Sequence, residues 1–243
     1  MVEPLFRFDG ELVTNSEIVL GGTEGHHAAA VRRMRVGEGI ALTNGTSLHA
    51  RGVVTSVAAK EIGVRILSVE ELSLPALRFG LVQALAKGDR DELAIQAATE
   101  LGCLSITPWQ AERSISKWDQ AKRAKGQERW QTIATEAAKQ SLRPLFPVVR
   151  EPMTSKQLET LMSDETFIVL DPTASLSLAD WEAPQSGSVQ VVVGPEGGIT
   201  SAELKAFESA GAVRVHLGSG ILRTSTAGMA AIAFLAGRSG LWR

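Results

Sequence analysis

From residue 76 onward, short apolar runs alternate with stretches in which apolar residues recur at helical spacing. This alternation predicts strands and helices in turn, and hence a mainly parallel sheet with helices on both faces. A long helix is expected over 119–141, and Thr200 and Glu203 have the spacing of a capping box that opens a helix ended by Gly211. The expected strands are 77–85, 105–108, 167–170, 189–193 and 213–217.

The N-terminal part of the chain follows a different pattern. Residues 40–69 form short pieces rich in Val, Ile and Thr, broken by the turn signal Asn44-Gly45. This pattern predicts a small antiparallel barrel or sheet. We therefore expect an N-terminal domain over 1–73 and an α/β domain over 74–243.

Composition is that of an ordinary globular protein, with 243 residues, 44% apolar and 21% charged. No run approaches the roughly 18 apolar residues that cross a bilayer, and acidic Glu3 and Asp9 stand where a signal peptide has its apolar core. We expect a cytoplasmic protein without a membrane partner. The single cysteine, Cys103, cannot form an internal disulfide, and a buried structural thiol is the favoured interpretation.

Charge is unevenly distributed although the net charge is only -2. Residues 113–143 hold eight basic against three acidic residues, which gives +5 and leaves -7 for the rest of the chain. A solvated helix face explains such a stretch, and a phosphate-binding stripe also fits it.

Turns follow three of the expected strands, at 170–172, 194–198 and 217–227, and the second and third of these turns contain glycines. Ligands of open α/β sheets bind at the carboxyl ends of the strands, so we expect these turns to converge on one pocket. They match neither GxGxxG nor GxxxxGK[ST], which disfavours a dinucleotide or a triphosphate. Glycines there suit close main-chain approach to an adenine or a ribose, although a tight turn without a ligand remains an alternative.

Arg223 is the notable side chain of the third turn. It stands between Leu222 and the hydroxyl residues that open the last helix. A cation at this place reaches solvent or finds an anionic or carbonyl partner, and near a ligand crevice that partner can be a substrate.

Several segments together resemble the RsmE family of ribosomal RNA methyltransferases, which belongs to the SPOUT class. The similarity covers nearly the whole chain, with departures at Ser219-Gly220 and Ser225, where many members carry Pro-Arg and Glu. The segments are GPEGGITSAEL at 194–204, LGSGILRTSTA at 217–227, ALAKGDRDELAIQAATELG at 84–102, HHAAAVRRMRVGEGIALTNG at 26–45, ITPWQAERS and ERWQTIATEAAKQS.

The resemblance implies an N-terminal PUA-like RNA-binding β-barrel joined to a SPOUT-type α/β domain with a C-terminal trefoil knot. It further implies a homodimer that uses S-adenosylmethionine and no metal. The implied reaction methylates N3 of one uridine in the decoding region of 16S ribosomal RNA, within the small ribosomal subunit.

The resemblance assigns roles to the residues of this sequence that stand at matching positions of the family motifs. Because N3 of uridine is protonated at neutral pH, the developing anion needs stabilisation, which we assign to Arg223. Glu196 is assigned as a base or a ribose-orienting group, and cofactor binding is favoured over base catalysis for it. The implied cofactor residues are Leu170, Gly194, Glu196, Gly197, Gly198, Leu217, Gly218, Ile221, Leu222 and Thr226.

RNA contact is expected from basic residues of both domains. Adjacent His26 and His27 have no cysteine or carboxylate cluster to complete a metal site, so no metal is expected. The alternatives are a non-catalytic RNA-binding protein and a SPOUT methyltransferase that acts on another RNA. The expected phosphate contacts are Arg7, His26, Arg32, Arg33, Arg113, Lys117 and Arg129.

Overall fold

The computed structural model describes residues 2–242, and the chain divides into two compact units. The first unit comprises 1–74 together with 138–146, and the second comprises 75–137 and 147–243. The expected division into two continuous domains does not include 138–146 in the first unit, because this segment, which comprises the end of the long helix and the residues after it, is far from the N-terminal strands in sequence.

The N-terminal unit is built on a five-stranded sheet of order β1-β3-β4-β5-β2. The antiparallel arrangement predicted for 40–69 is confirmed, since β3 pairs with β4 and β4 with β5 in that sense, whereas β1 and β3 are parallel. The elements are β1 (Leu5–Arg7), β2 (Glu17–Leu20), α1 (Gly22–His26), a π-helical turn (His27–Val31), β3 (Gly39–Thr43), β4 (Leu48–Val57) and β5 (Ile62–Glu71).

The turn between β3 and β4 is fixed by the predicted Asn44-Gly45 pair. The Asn44 Oδ1 atom accepts hydrogen bonds from the main-chain N–H groups of Thr46 and Ser47 at 3.0 and 2.9 Å. Gly45 adopts φ of 81°, which a side chain would strain. The local sequence therefore determines this hairpin.

The C-terminal unit contains a seven-stranded sheet in which all neighbouring strands are parallel, as predicted. Its order is β12-β10-β11-β6-β7-β8, and β9 also pairs with β7. The strands are β6 (Leu77–Ala84), β7 (Ser105–Gln110), β8 (Val148–Val149), β9 (Met153–Thr154), β10 (Thr166–Leu170), β11 (Gly187–Val193) and β12 (Val213–Val215).

Helices cover both faces of this sheet, which confirms the layered arrangement. Leu81 and Val191 face one core, shared with α2 and α6, and Val192 faces a second core, shared with Phe207 of α5. The helices are α2 (Arg90–Glu100), α3 (Gln120–Gln140), α4 (Ser155–Glu159), α5 (Ser201–Ser209) and α6 (Thr224–Arg238).

The predicted capping box at the start of α5 is confirmed. The Thr200 hydroxyl accepts from the Glu203 N–H at 3.2 Å, and the Thr200 N–H donates to Glu203 Oε2 at 3.0 Å. The Ser155 hydroxyl and the Glu112 N–H donate to Glu203 Oε1. The Glu203 carboxylate thus fixes the end of the 194–198 turn to two other parts of the unit.

Helix α6 approaches the sheet closely at Gly228. A Cβ atom at this position would lie 2.8 Å from Leu81 Cδ1 and 3.1 Å from Val193 Cγ2. The absence of a side chain lets the helix pack directly on β6 and β11, which sets the start of α6 beside the strand ends.

Cys103 is a free, buried thiol, as expected, and burial raises its pKa to about 12. Such a thiol is protonated at neutral pH and unreactive. Among the described residues, no helix combines the length and the apolar character needed to traverse a bilayer.

Candidate cofactor and catalytic site

A cavity of about 760 Å³ lies at the carboxyl ends of β10, β11 and β12. The three predicted turns all contribute to its wall, through 170–173, 193–199, Leu217 and 220–224. Its volume falls within the range of small-molecule sites. The predicted convergence of the turns is therefore seen in the structure.

Most of the expected cofactor residues line this cavity. Gly218 and Thr226 do not: the Gly218 N–H donates to His216 Nδ1 at 3.0 Å, and the Thr226 hydroxyl donates to the Arg223 carbonyl at 3.2 Å. These two shape the turn and the helix start. The expected residues in the lining are Leu170, Gly194, Glu196, Gly197, Gly198, Leu217, Ile221, Leu222 and Arg223.

Asp171 is a cavity residue that the motifs did not single out. It directly follows β10, and its side chain is 9% exposed. Its Oδ2 atom accepts from Arg214 Nε at 2.8 Å, and its Oδ1 atom accepts from the Thr173 N–H at 2.9 Å. Burial raises the pKa of Asp171, but these hydrogen bonds and the charge of Arg214 outweigh it, so the pKa lies below its ordinary value. The charged carboxylate holds the 170–173 wall in place.

Glu196 is held by the segment that follows β6. Its Oε1 atom accepts from Arg90 Nη1 at 2.9 Å and from the Lys87 N–H at 3.2 Å. Burial raises the pKa of Glu196, but main-chain N–H groups and the Arg90 guanidinium outweigh it, and the net pKa is lowered. A carboxylate stabilised in its charged form is a weak base, which favours an anchoring role over proton abstraction.

Gly197 is braced from the opposite side by Arg113. The Arg113 Nη1 atom donates to the Gly197 carbonyl at 3.2 Å, and a Cβ on Gly197 would approach the Arg113 Cβ to 3.2 Å. The adjacent Gly198 has φ of 74°, which favours glycine. Arg113, expected from the sequence to contact phosphate, thus also supports this turn.

Two of the turns are tied together by a buried side-chain link. The Thr224 hydroxyl donates to the Gly194 carbonyl at 2.9 Å, and it accepts from Gln83 Nε2 at the same distance. Gln83 is fully buried at the end of β6. The start of α6 is therefore locked to the 194–198 turn from inside the unit.

Removing this link should cost stability. We expect Thr224→Val, which keeps the shape of the side chain, to lower the free energy of unfolding by about 1–3 kcal/mol, because the Gly194 carbonyl loses its Thr224 donor and the buried Gln83 amide keeps only its bond to the Ala84 carbonyl. Urea denaturation measures the loss. Thr226→Val is the matched control, since that hydroxyl bonds only within its own helical turn; an equal loss in both variants would contradict the link.

Arg223 stands at the N-cap of α6, exposed at the cavity. Its main-chain carbonyl accepts from the N–H groups of Thr226 and Ala227. Within residues 2–242, its guanidinium has no hydrogen bond or ion pair. The side-chain charge and the positive end of the α6 dipole are therefore both available to an anionic ligand.

The expected RNA contacts differ in their surroundings. Arg7 pairs with Asp9 at 2.8 Å, and Arg129 makes a two-pronged ion pair with Glu92, one bond of which measures 2.8 Å. The part of the chain that the structure describes contains no group of three or more His, Cys, Asp or Glu side chains that could hold a metal. All seven expected contacts are exposed: Arg7, His26, Arg32, Arg33, Arg113, Lys117 and Arg129.

Comparison with known proteins defines the class of this chain. Residues 73–236 match the RNA methyltransferase domain family, and residues 20–67 match the RNA methyltransferase PUA domain family. The chain is thus an RNA methyltransferase with a PUA domain near its N-terminus.

Individual relatives identify the family. The ribosomal RNA small subunit methyltransferase E of Mycobacterium bovis is 41% identical over 239 residues, covering 96% of this chain and 90% of the relative. The chain belongs to the ribosomal RNA small subunit methyltransferase E family, which confirms the resemblance seen in the sequence.

Solved structures agree in fold over almost the whole chain. The corresponding enzyme of Neisseria gonorrhoeae, solved with S-adenosylmethionine bound, superposes with a TM-score of 0.88 at 30% identity, and 98% of each chain is covered. A Legionella pneumophila methyltransferase, also solved with this cofactor, gives 0.87 at 31% identity with the same coverage.

Proposed function

We propose that this protein transfers a methyl group from S-adenosylmethionine to N3 of one uridine in the decoding region of 16S ribosomal RNA. The observation that carries the proposal is the cavity at the ends of β10, β11 and β12, with Arg223 at its edge, in a chain of the methyltransferase E family. S-adenosylmethionine supplies the methyl group when it is bound.

The chemistry of the cavity wall fits this cofactor. S-adenosylmethionine carries an adenine, a ribose and a sulfonium but no phosphate, and the wall contains apolar side chains and glycine turns without a lysine. The charged residues of the wall are Arg90, Arg223, Asp171 and Glu196, so the wall carries no net charge that would repel a cationic ligand. The proposed cofactor residues are those of the sequence analysis that line the cavity, together with Asp171 as a support of the wall.

The trefoil knot implied by the family is part of the proposal. Its support is the path of the C-terminal segment: residues 220–224 share a wall with two earlier turns, and α6 then packs on the interior strands β6 and β11. The knot can be checked by joining the two ends of the described chain and testing whether the closed backbone path can be reduced to an unknotted loop.

Arg223 is assigned to the reacting base. Loss of the N3 proton to solvent water leaves negative charge on the uracil ring, and a guanidinium without a partner among residues 2–242 can stabilise that charge without giving up an existing bond. The first turn of α6 adds its positive dipole at the same edge. The residues of this chain thus stabilise the anion and orient the base.

The Glu196→Gln variant distinguishes an anchoring role of Glu196 in the cofactor site from a role as the general base. We expect Glu196→Gln to weaken S-adenosylmethionine binding by about tenfold, since a charge-assisted bond to Arg90 is lost. The single-turnover rate at saturating cofactor should stay within about threefold, because general base catalysis, which typically contributes 10²–10⁴-fold, is not lost. Calorimetry and rapid-quench measurements separate the two quantities. A rate loss of about a hundredfold with unchanged affinity would instead identify Glu196 as the base.

RNA binding is proposed to involve the exposed cations of both units, with Arg113 and Arg129 also serving the internal contacts described above.

Homodimer formation is proposed through the face of α2 and α6, where Leu93 and Phe234 are exposed although the two helices pack together. The proposed substrate implies that the enzyme acts in the cytoplasm, where ribosomal subunits are assembled.

The substrate is tested with purified components. Unmethylated small ribosomal subunits, free 16S ribosomal RNA and large-subunit RNA are each incubated with the protein and the cofactor, and nucleoside mass spectrometry locates the new methyl group. We expect N3-methyluridine in the small-subunit RNA, with the subunit as the preferred form. Methylation of large-subunit RNA alone would mean that the enzyme acts on another RNA, and no methylation despite RNA binding would favour a non-catalytic RNA-binding protein.

A further inference from the structure

A second cavity, of about 350 Å³, lies beside the segments that follow β6 and β7. It is formed by the segment after β6, the start of α2, the segment after β7 and one face of α3. It has no lining residue in common with the cofactor cavity. Its wall consists of Ala86, Lys87, Gly88, Asp91, Glu92, Ile115, Ser116, Trp118, Gly126, Arg129 and Trp130.

Two tryptophans give this cavity a rigid aromatic wall. Trp130 is buried, and its ring meets the half-buried Trp118 ring at 72° with centroids 5.1 Å apart. Trp118 also lies close against Gly126, where a Cβ would come within 2.6 Å of its ring. The indole of Trp118 is therefore fixed in position, as a stacking surface for a planar ligand requires.

Two carboxylates supply hydrogen-bond acceptors to the same cavity. Asp91 is 6% exposed and accepts from the N–H groups of Ala86 and Glu92 at 3.2 and 2.9 Å. Burial raises its pKa to about 6, so the charged form still prevails at neutral pH. Glu92 is held by Arg129. Both groups can accept further hydrogen bonds, because each carboxylate oxygen has two lone pairs.

The two cavities are connected by shared loops. Lys87 lines the second cavity, and its main-chain N–H group donates a hydrogen bond to Glu196 of the cofactor cavity. The segment after β7 likewise contributes to both cavities. Its Ile115 lines the second cavity, and its Arg113 side chain donates a hydrogen bond to the Gly197 carbonyl of the cofactor cavity. The two cavities therefore adjoin each other through these hydrogen bonds.

We propose that the second cavity binds a nucleobase of the substrate RNA close to the target uridine, and that this base carries an exocyclic amino group. Trp118 stacks on its ring, and the carboxylates of Asp91 and Glu92 accept from the amino group. Ionised carboxylates can only accept, and the two N–H bonds of an amino group can serve both of them, whereas uracil offers only its single N3–H. The base is not the target itself, because the methyl donor is assigned to the other cavity. This inference rests on the proposed function.

The stacking contact is tested by the Michaelis constant for unmethylated small ribosomal subunits. Trp118→Leu should raise it by about tenfold or more, since a stacked base typically contributes a factor of about 5 to 100. Trp118→Phe, which keeps an aromatic ring, should restore most of the loss. Cofactor affinity, measured by calorimetry, should be unchanged in both variants.

The amino group is tested by coupling two substitutions. In reconstituted subunits, each nucleotide that flanks the target is changed to uridine, one at a time. At one of these positions, the change should raise the Michaelis constant of the wild-type enzyme but should leave that of Asp91→Asn unaffected. Glu128→Gln, an exposed carboxylate of α3 outside the cavity, should respond like the wild type.

Two results would overturn the assignment: an unchanged Michaelis constant in Trp118→Leu, or equal effects of every uridine change in the wild type and in Asp91→Asn. Failure of the wild-type protein to methylate these subunits would instead refute the proposed function, so the two failures are distinguishable.

Discussion

Replacing Arg223 by alanine is expected to slow methyl transfer by about 100- to 1,000-fold, the effect of losing one preorganised donor from an anion-stabilising site. The affinity for S-adenosylmethionine should be unchanged, because the guanidinium makes no bond to the described residues that shape the cavity. Single-turnover measurements at saturating RNA and cofactor give the rate, and calorimetry gives the affinity.

Two variants of the same turn control this experiment. Arg223→Lys keeps the charge but not the planar fork, so an intermediate rate is expected. Ser219→Ala, exposed and outside the cavity wall, should leave the rate unchanged. A normal rate in Arg223→Ala would contradict the anion-stabilising role, and a loss of cofactor affinity equal to the loss in rate would make Arg223 a cofactor ligand.

Replacing Asp171 by asparagine should give the largest loss of stability among the cavity residues, about 3 kcal/mol, because removal of one partner leaves Arg214 partly buried without its main counter-charge. S-adenosylmethionine binding should weaken as the 170–173 wall loosens. Chemical denaturation and calorimetry measure the two effects. The matched control is Glu208→Gln: this carboxylate also contacts Arg214, at 3.3 Å, but is 46% exposed, so a loss below about 1 kcal/mol is expected.

The stability effect of Asp171 should depend on pH in a defined direction. Its pKa in the folded protein lies below the ordinary value of 3.8, so its stabilising contribution is present above that value and is lost as the pH falls through the folded-state pKa. The difference between wild type and Asp171→Asn should therefore be constant from about pH 5 to 8 and should shrink below about pH 4. A difference that grows on acidification would contradict the assignment.

Periodicity and local motifs were sufficient for the framework of the fold. The capping box of Thr200 and Glu203 depends on residues three positions apart, and each strand and helix has its own local pattern, so the sequence predicted them. The alternation of strands and helices then implied the parallel sheet, although its paired strands are distant in sequence. The joining of 138–146 to the N-terminal unit depends on contacts between distant segments, which no local pattern encodes.

For the site, the sequence identified the turns but not the side chains that brace them. Asp171 acts through Arg214, 43 positions away, and Arg113 reaches Gly197, 84 positions away. Arg129 was expected to meet phosphate, yet it pairs with Glu92, 37 positions away. A single charged residue in a sequence does not reveal such a partner, because the pairing is created only by the tertiary fold.

The central claim is that the cofactor cavity and Arg223 together produce one N3-methyluridine in small-subunit RNA. Nucleoside mass spectrometry of ribosomal RNA from cells lacking this protein, complemented with the wild type or with Arg223→Ala, tests it most directly. The account predicts that one N3-methyluridine disappears from the decoding region, returns with the wild type and stays strongly reduced with the variant. An unchanged level of that nucleoside in the deletion strain would contradict it.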